Sequence, residues 1–308
     1  MSYCVRENLP LLERIGCLKE ERKAVILAHN DQLPEVQDIA DFVGDSLDLS
    51  IKAAETDAEI IVFCGVHFMA ETAAILSPDK KVLLAAEHAG CPMANMISGH
   101  QMKEFKAEHP EATAMCYVNT SASVKAECDW CCTSANALQI AEHIENDEIL
   151  FVPDKYLGSY IASKSNKHFT IWNGYCPTHV RIRPEDIVQR KKEHPKAAVI
   201  VHPECVSEVV ALADEVLSTG GMVKFARESD YKEIIIGTEV GLIHRLEQEN
   251  PKKHFYAATE LAICPNMKLT NLEKILWSLE DLQYEIHVPE DIARRAKKAI
   301  DRMISVRT

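Results

Sequence analysis

The chain has 308 residues, 47% hydrophobic and 26% charged, a globular balance that excludes disorder as its main state. Its 34 Lys and Arg against 47 Asp and Glu give a formal charge of −13, which argues against nonspecific nucleic-acid binding, because that needs clustered positive charge to release counterions. No apolar run approaches the ~20 residues of a membrane helix and the first residues carry no basic-then-apolar leader, so a cytoplasmic chain of about two domains, or three small ones, is expected.

The first predicted strand, Ala24–Ala28, ends at His29, Asn30 and Asp31. A helix over Leu47–Ala54 follows Ser46, the strand Ile60–Phe63 runs to Cys64 and His67, and the strand Val82–Ala86 runs to Cys91-Pro92. The polar stretch Lys103–Glu111 marks a boundary. A second series begins with the strand Thr113–Tyr117, followed by Asn119 and Thr120, then Ser134 before a helix over Ala135–Ile144. The strands Ile149–Val152 and Phe169–Trp172 lead to Cys176-Pro177 and His179. Arg181–Lys196 is the next boundary. The third series has the strand Ala197–Val201 with His202 and Glu204 after it, then a helix-period segment Val206–Leu217. Thr219 precedes a helix over Gly221–Ala226; the strand Ile234–Ile236 ends at Thr238 and Glu239, and Phe255–Ala258 leads to Cys264-Pro265. Leu272, Ile275, Leu276 and Leu279 mark a helix, and another runs over Pro289–Ser305; both are expected to complete the outer layer of the first unit.

These landmarks repeat. His29, Tyr117 and His202 are 88 and 85 residues apart, a hydroxyl residue (Ser46, Ser134, Thr219) follows each by 17, and the Cys-Pro pairs are spaced 85 and 88. Each unit reads strand–helix–strand–helix–strand, the pattern of a parallel α/β sheet, whose ligands bind beyond the carboxyl ends of its strands. With pseudo-threefold symmetry, Cys91, Cys176 and Cys264 would converge on one axis. Such a trio suits zinc, with His179 as a fourth ligand, or a 4Fe–4S cluster with one open iron; the plain alternative is three small buried residues ahead of helices.

Ser46, Ser134 and Thr219 read as helix N-caps, which bind phosphate or carboxylate or simply close a helix; Gly220-Gly221 favours close approach of an anion. Among the histidines, His29, His179 and His202 follow strands and read as functional. Glu204 is a candidate general acid/base, with a dry pocket expected to move its pKa toward neutrality. Eleven cysteines, an odd count, do not make a disulfide scaffold. Cys128, Cys131 and Cys132 offer an isolated C-x-x-C spacing, read as structural thiols or a disulfide-capable pair.

Taken together, the strings Leu27-Ala28-His29-Asn30, Gly44-Asp45-Ser46-Leu47, Cys64-Gly65-Val66-His67-Phe68-Met69-Ala70-Glu71-Thr72, Gly90-Cys91-Pro92-Met93, Tyr117-Val118-Asn119-Thr120, Cys132-Thr133-Ser134-Ala135-Asn136, Asn173-Gly174-Tyr175-Cys176, His202-Pro203-Glu204-Cys205, Ser218-Thr219, Thr238-Glu239 and Cys264-Pro265-Asn266-Met267 resemble the quinolinate synthase family. The resemblance spans nearly the whole chain. It implies three pseudo-threefold-related αβα sandwich domains with short parallel sheets (residues 1–102 completed by 268–308, then 103–183, then 184–267) around a central 4Fe–4S cluster held by Cys91, Cys176 and Cys264. It implies condensation of iminoaspartate with dihydroxyacetone phosphate to quinolinate, phosphate and water, in NAD biosynthesis, with the open iron acting as a Lewis acid and an aspartate oxidase or dehydrogenase supplying iminoaspartate. By the same carry-over, Ser46, Tyr117, Asn119, Ser134, His179, Ser218 and Thr219 hold carboxylates and phosphate, while His29, His202, Glu204 and Tyr117 position intermediates and move protons. One departure stands out: the family usually carries Tyr where this chain has Asp31, a shorter and ionisable acid. Asp31 either serves as an acid/base itself or marks a paralogue acting on another small oxo- or hydroxy-acid. A non-catalytic zinc or iron–sulfur sensor is a further alternative, weakened by the absence of a basic recognition helix.

Overall fold

The computed structural model describes residues 9–306. The first unit runs α1 (Leu11–Glu21), β1 (Ala24–His29), α2 (Pro34–Ile39), β2 (Phe42–Gly44), α3 (Ser46–Glu55), β3 (Ile60–Cys64), α4 (His67–Leu76) and β4 (Lys81–Leu84), and α5 (Gly99–Glu108) links it to the next. The second runs β5 (Thr113–Tyr117), α6 (Ala122–Lys125), β6 (Trp130–Cys132), α7 (Ala137–His143), β7 (Glu148–Val152), α8 (Lys155–Lys164) and β8 (His168–Ile171). The third follows α9 (Pro184–Glu193) with β9 (Ala198–Val201), α10 (Ser207–Val210), β10 (Glu215–Val216), α11 (Thr219–Glu228), β11 (Glu233–Gly237), α12 (Leu242–Glu249) and β12 (His254–Ala257), and the last helices are α13 (Leu272–Asp281) and α14 (Glu290–Ser305). The strand orders are β2-β1-β3-β4, β6-β5-β7-β8 and β10-β9-β11-β12, and all pairings within these sheets are parallel. The α/β architecture of three αβα layers is therefore as the sequence implies. Inner strands such as Val25–Ala28 and Ile234–Ile236 are continuously apolar because helices bury both faces of a parallel sheet.

Each sheet has four strands rather than the three expected. The missed ones, β2, β6 and β10, have three, three and two residues, too few to show a pattern. The helix expected over Val206–Leu217 is not continuous. Its apolar spacing breaks at Asp214, whose carboxylate accepts from Val199 N–H at 2.8 Å and turns the chain into β10. The same device recurs: Asp41 accepts from Ile26 N–H at 2.8 Å and Asp129 from Ala114 N–H at 2.9 Å. In all three, the Asp N–H donates back to the carbonyl of the same strand residue. A carboxylate thus supplies the strand edge with the acceptor that a longer neighbouring strand would have offered.

The N-caps are also displaced from the expected hydroxyl residues, two of them one residue earlier and the third two residues later. Asp45 and Ser218 cap α3 and α11, so Ser46 and Thr219 are the first helical residues, and Ser134 stands two residues before Asn136, the cap of α7. Helix α13 packs on α1 and β3, while α14 lies against α4, α6 and β6. Ala296, Ala299, Ile300 and Met303 form the buried stripe of α14 and belong to one apolar cluster with side chains of both the first and the second sheet. The third sheet has apolar clusters of its own on each face.

Candidate active site

Parallel strands aim their carboxyl ends, and so the residues that follow them, in one direction. Here the ends of all three sheets meet at one cavity. It is lined by Cys91, Cys176 and Cys264, by His29, His179 and His202, by Asp31, Tyr117, Asn119 and Glu204, and by Ser46, Ser134 and Thr219. Ser218 faces the adjoining groove instead. Val66, Phe68, Met69, Met93 and Met267 supply the apolar wall. Among the described residues that line it, none is Lys or Arg.

His29 and His202 occupy matching places after β1 and β9. In each, the N–H two residues on donates to Nδ1, from Asp31 at 3.1 Å and from Glu204 at 3.3 Å. An accepting Nδ1 leaves the proton of the neutral ring on Nε2. Burial holds both imidazoles neutral, lowering His29 to about 4 and His202 to about 3. His202 Nε2 lies 3.1 Å from Ser134 Oγ.

His179 behaves differently. Its Nδ1 is 2.8 Å from Glu204 Oε2 and 3.2 Å from Cys176 Sγ, and its Nε2 is 2.8 Å from Thr238 Oγ1. Burial opposes its charge, but the Glu204 carboxylate overrides that and raises its pKa. Burial would likewise push the Glu204 carboxyl up; the charge of His179 and hydrogen bonds from His179 and Tyr117 hold it well below the usual range instead. Tyr117 Oη donates to Glu204 Oε1 at 2.6 Å. The dry pocket therefore does not leave Glu204 poised near neutrality, because it is one half of a buried ion pair. Burial instead raises the carboxyls of Asp31, to about 6, and Glu239, to about 7, and those of Asp45 and Asp154 as well. Asp31 Oδ1 and Asn119 Oδ1 are buried without a partner.

Around this cavity stand several further groups: Asn30 and Glu239, which the sequence reading placed at strand ends without a role, and Asp45, Asp154 and Lys268, which it did not single out. Asp45 lies between two helix starts, accepting from Leu47 and Asp48 N–H at the head of α3 and standing 3.4 Å from Ser218 Oγ at the head of α11. Asn30 Nδ2 donates to Thr219 Oγ1 at 3.0 Å. Lys268 holds Glu239, which also accepts from Cys264 N–H at 3.0 Å. Asp154, after β7, is buried with Oδ2 unpartnered. The 88- and 85-residue spacing carries a signal for two of these: it relates Val66 to Asp154 and Glu239. Nothing periodic marks Lys268.

The three thiols suit a metal cluster. Burial raises all three, Cys91 to about 12, which a bound cation would reverse. Cys91 senses Cys264, and Cys176 senses Cys91. Behind each sulfur a short 3₁₀ turn points the N–H of the third residue on at it: Ala94, His179 and Met267. Such bonds favour a thiolate. Among the described residues, the trio of donors within 4.8 Å of one another is Cys176, His179 and Glu204, not the three thiols. A single zinc with bonds of about 2.3 Å would need its sulfurs within roughly 4 Å, so a larger group bridging the three fits the donor set better.

A family model described as quinolinate synthetase A protein matches residues 13–305. The chain is 59% identical over 293 residues to the quinolinate synthase of Dehalococcoides mccartyi strain CBDB1, covering 95% of this chain and 97% of the relative. It is 55% identical over 296 residues to the quinolinate synthase of Thermodesulfovibrio yellowstonii (96% and 98% covered), and 53% identical over 301 residues to quinolinate synthase 1 of Methanosarcina acetivorans (98% and 99%). No helix among the described residues is long and apolar enough to cross a membrane.

Proposed function

The chain belongs to the quinolinate synthase A family, a family of enzymes, and on that premise we propose that it condenses iminoaspartate with dihydroxyacetone phosphate to quinolinate, phosphate and water, as a cytoplasmic step of NAD biosynthesis. What supports this reading most is the meeting of three thiols, one from each sheet, beside the Tyr117–Glu204–His179 chain. Cys91, Cys176 and Cys264 would hold a 4Fe–4S cluster. When bound, such a cluster supplies a Lewis-acidic iron at the corner that no thiol fills, able to polarise a substrate oxygen.

The side chains do the rest. Neutral His29 and His202 offer Nε2–H donors to substrate carboxylates without adding charge, and Ser46, Ser134 and Asn119 add polar contacts. The first turn of α11, with Ser218 and Thr219, receives the phosphate through free N–H groups and the positive helix end. With no Lys or Arg lining the cavity, a dianionic substrate is held by these donors and by the His179 imidazolium. The apolar wall excludes water, which protects an imine that water would hydrolyse. Condensation and dehydration need protons removed from carbon and returned to leaving oxygens. Glu204 holds the protons of Tyr117 Oη and His179 Nδ1 at fixed places for that return. Asp31 takes or gives a proton at Oδ1, the oxygen with no partner, in the role the family usually gives to Tyr. The domains proposed are residues 1–102 with 268–308, 103–183 and 184–267.

A paralogue that acts on another small oxo- or hydroxy-acid is favoured by Asp31 alone. Anaerobic turnover decides the matter: cluster-loaded protein given dihydroxyacetone phosphate and iminoaspartate generated in place by an aspartate oxidase should release quinolinate. A fully loaded protein that releases none, while a relative assayed alongside does, excludes the reading.

A further inference from the structure

A cation stands behind the cavity wall without lining it. Arg245, on α12 of the third unit, reaches into the first: its Nη1 donates to Asn30 Oδ1 at 2.7 Å and to the Val43 carbonyl at 2.8 Å, and its Nε donates to Glu249 at 2.6 Å. Asn30 is wholly buried at the end of β1. Its backbone is pinned from both sides, the N–H donating to the Gly44 carbonyl at 3.0 Å and the carbonyl accepting from Gln37 Nε2 at 3.1 Å. Its Nδ2 donates to Thr219 Oγ1, back in the third unit, at 3.0 Å.

These contacts leave one polarity. A guanidinium has donors only, so the Asn30 atom facing it is the oxygen, and the amide nitrogen, also a donor only, is turned to Thr219. The Thr219 hydroxyl therefore accepts from Asn30. Its own hydrogen is left over, and among the described residues no group accepts it. Thr219 lines the cavity as the first residue of α11, so this hydrogen is offered there beside the free N–H groups of the helix start. The corresponding residues of the other two units are Val118 and Pro203, whose side chains cannot relay a hydrogen bond. Of the three hydroxyls spaced along the chain, only that of Thr219 is set in this way.

We propose that Arg245 and Asn30 are positioning residues that fix the Thr219 hydroxyl as a donor to the substrate's phosphate, a role that rests on the start of α11 receiving that phosphate. A phosphate dianion offers acceptors only, so a hydroxyl already held as a donor meets it without reorienting. The Arg245 charge, drawing on Asn30 Oδ1, polarises the amide in the same sense and makes Nδ2 the stronger donor. A cavity without a lysine or arginine in its wall thus receives part of the effect of one through an amide and a hydroxyl.

The test is anaerobic calorimetry of the metal-loaded protein with dihydroxyacetone phosphate, a binding measurement that does not require quinolinate to form. Arg245→Met frees the Asn30 amide to turn its oxygen to Thr219, and affinity should fall about tenfold or more. Asn30→Asp keeps the pair with Arg245 but presents Thr219 with an acceptor, which reverses the hydroxyl, and should cost at least as much. Thr219→Val separates the relay from a general loss of charge or a disturbed seam. In that background the effect of each substitution should shrink by about fivefold or more. Equal losses with and without the Thr219 hydroxyl, or no loss from either substitution, overturn the proposal and leave the phosphate site standing. Wild-type protein that binds no dihydroxyacetone phosphate overturns the phosphate site and the relay together.

Discussion

Asp154→Asn should stabilise the protein, increasingly so as pH rises. Asp154 caps α8: its Oδ1 accepts from Tyr156 N–H at 2.9 Å and from Leu157 N–H at 2.8 Å, bonds that an asparagine oxygen reproduces. Its other oxygen is buried with no donor. Burial, reinforced by the Glu204 charge, raises the carboxyl from 3.8 to about 8. Between those values the folded protein keeps a proton that the unfolded chain releases, so stability falls with rising pH, by at most about 1.4 kcal/mol per pH unit. The neutral amide lacks this dependence. Relative to wild type, the variant should gain about 1.5 kcal/mol at pH 5 and about 4 kcal/mol at pH 7 as upper bounds, levelling off above about pH 8. Anaerobic urea unfolding at pH 5, 6, 7 and 8 measures the difference. A gain that does not change with pH, or a variant less stable throughout, would show that Asp154 is ionised in the folded protein and that the reasoning is wrong.

Cys91→Ser, Cys176→Ser and Cys264→Ser should each strip iron and sulfide from anaerobically purified protein, whereas Cys128→Ser, Cys131→Ser and Cys132→Ser should retain both; chemical analysis of the two elements reads this directly. Tyr117→Phe removes the 2.6 Å bond to Glu204, a buried charge-assisted contact whose loss costs about 1–3 kcal/mol, so kcat/KM should fall about tenfold or more while iron content holds. Asn136→Ala loses two 3.0 Å bonds from its amide to the carbonyls of Met303 and Val306 and a 2.9 Å bond from Thr133 N–H. It should destabilise by about 2 kcal/mol or more, visible as an earlier urea midpoint.

The inner strands were legible because runs such as Ile60–Phe63 are buried on both faces and so uniformly apolar. The spacing of His29, Tyr117 and His202 located the strand ends that face the cavity. The edge strands β2, β6 and β10 left no trace, since two or three residues cannot display a period. Asp41, Asp129 and Asp214 share the same 88 and 85 spacing, yet a carboxylate ahead of a short strand looks like any loop acid until its hydrogen bond to the neighbouring strand is seen. Chemistry that depends on two units was the least legible. Glu204 read as a lone buried acid because nothing in the chain announces that His179, from another sheet, stands 2.8 Å away and inverts the effect of burial. Asp45 and Ser218, 173 residues apart, meet only because the starts of α3 and α11 face each other across the axis.

Helix α14 gives the molecule an order of manufacture. As the ribosome delivers the chain, β6 and α4 emerge well before residues 290–305 exist to cover them, so greasy surface on two of the three sheets stays bare for most of synthesis. The third sheet, with apolar side chains of its own on both faces, has no such debt to the distal helix. A gene cut ahead of α14 would therefore be expected to yield aggregates rather than a smaller working protein, and grafting between relatives should succeed more readily at the third unit than at either of the other two.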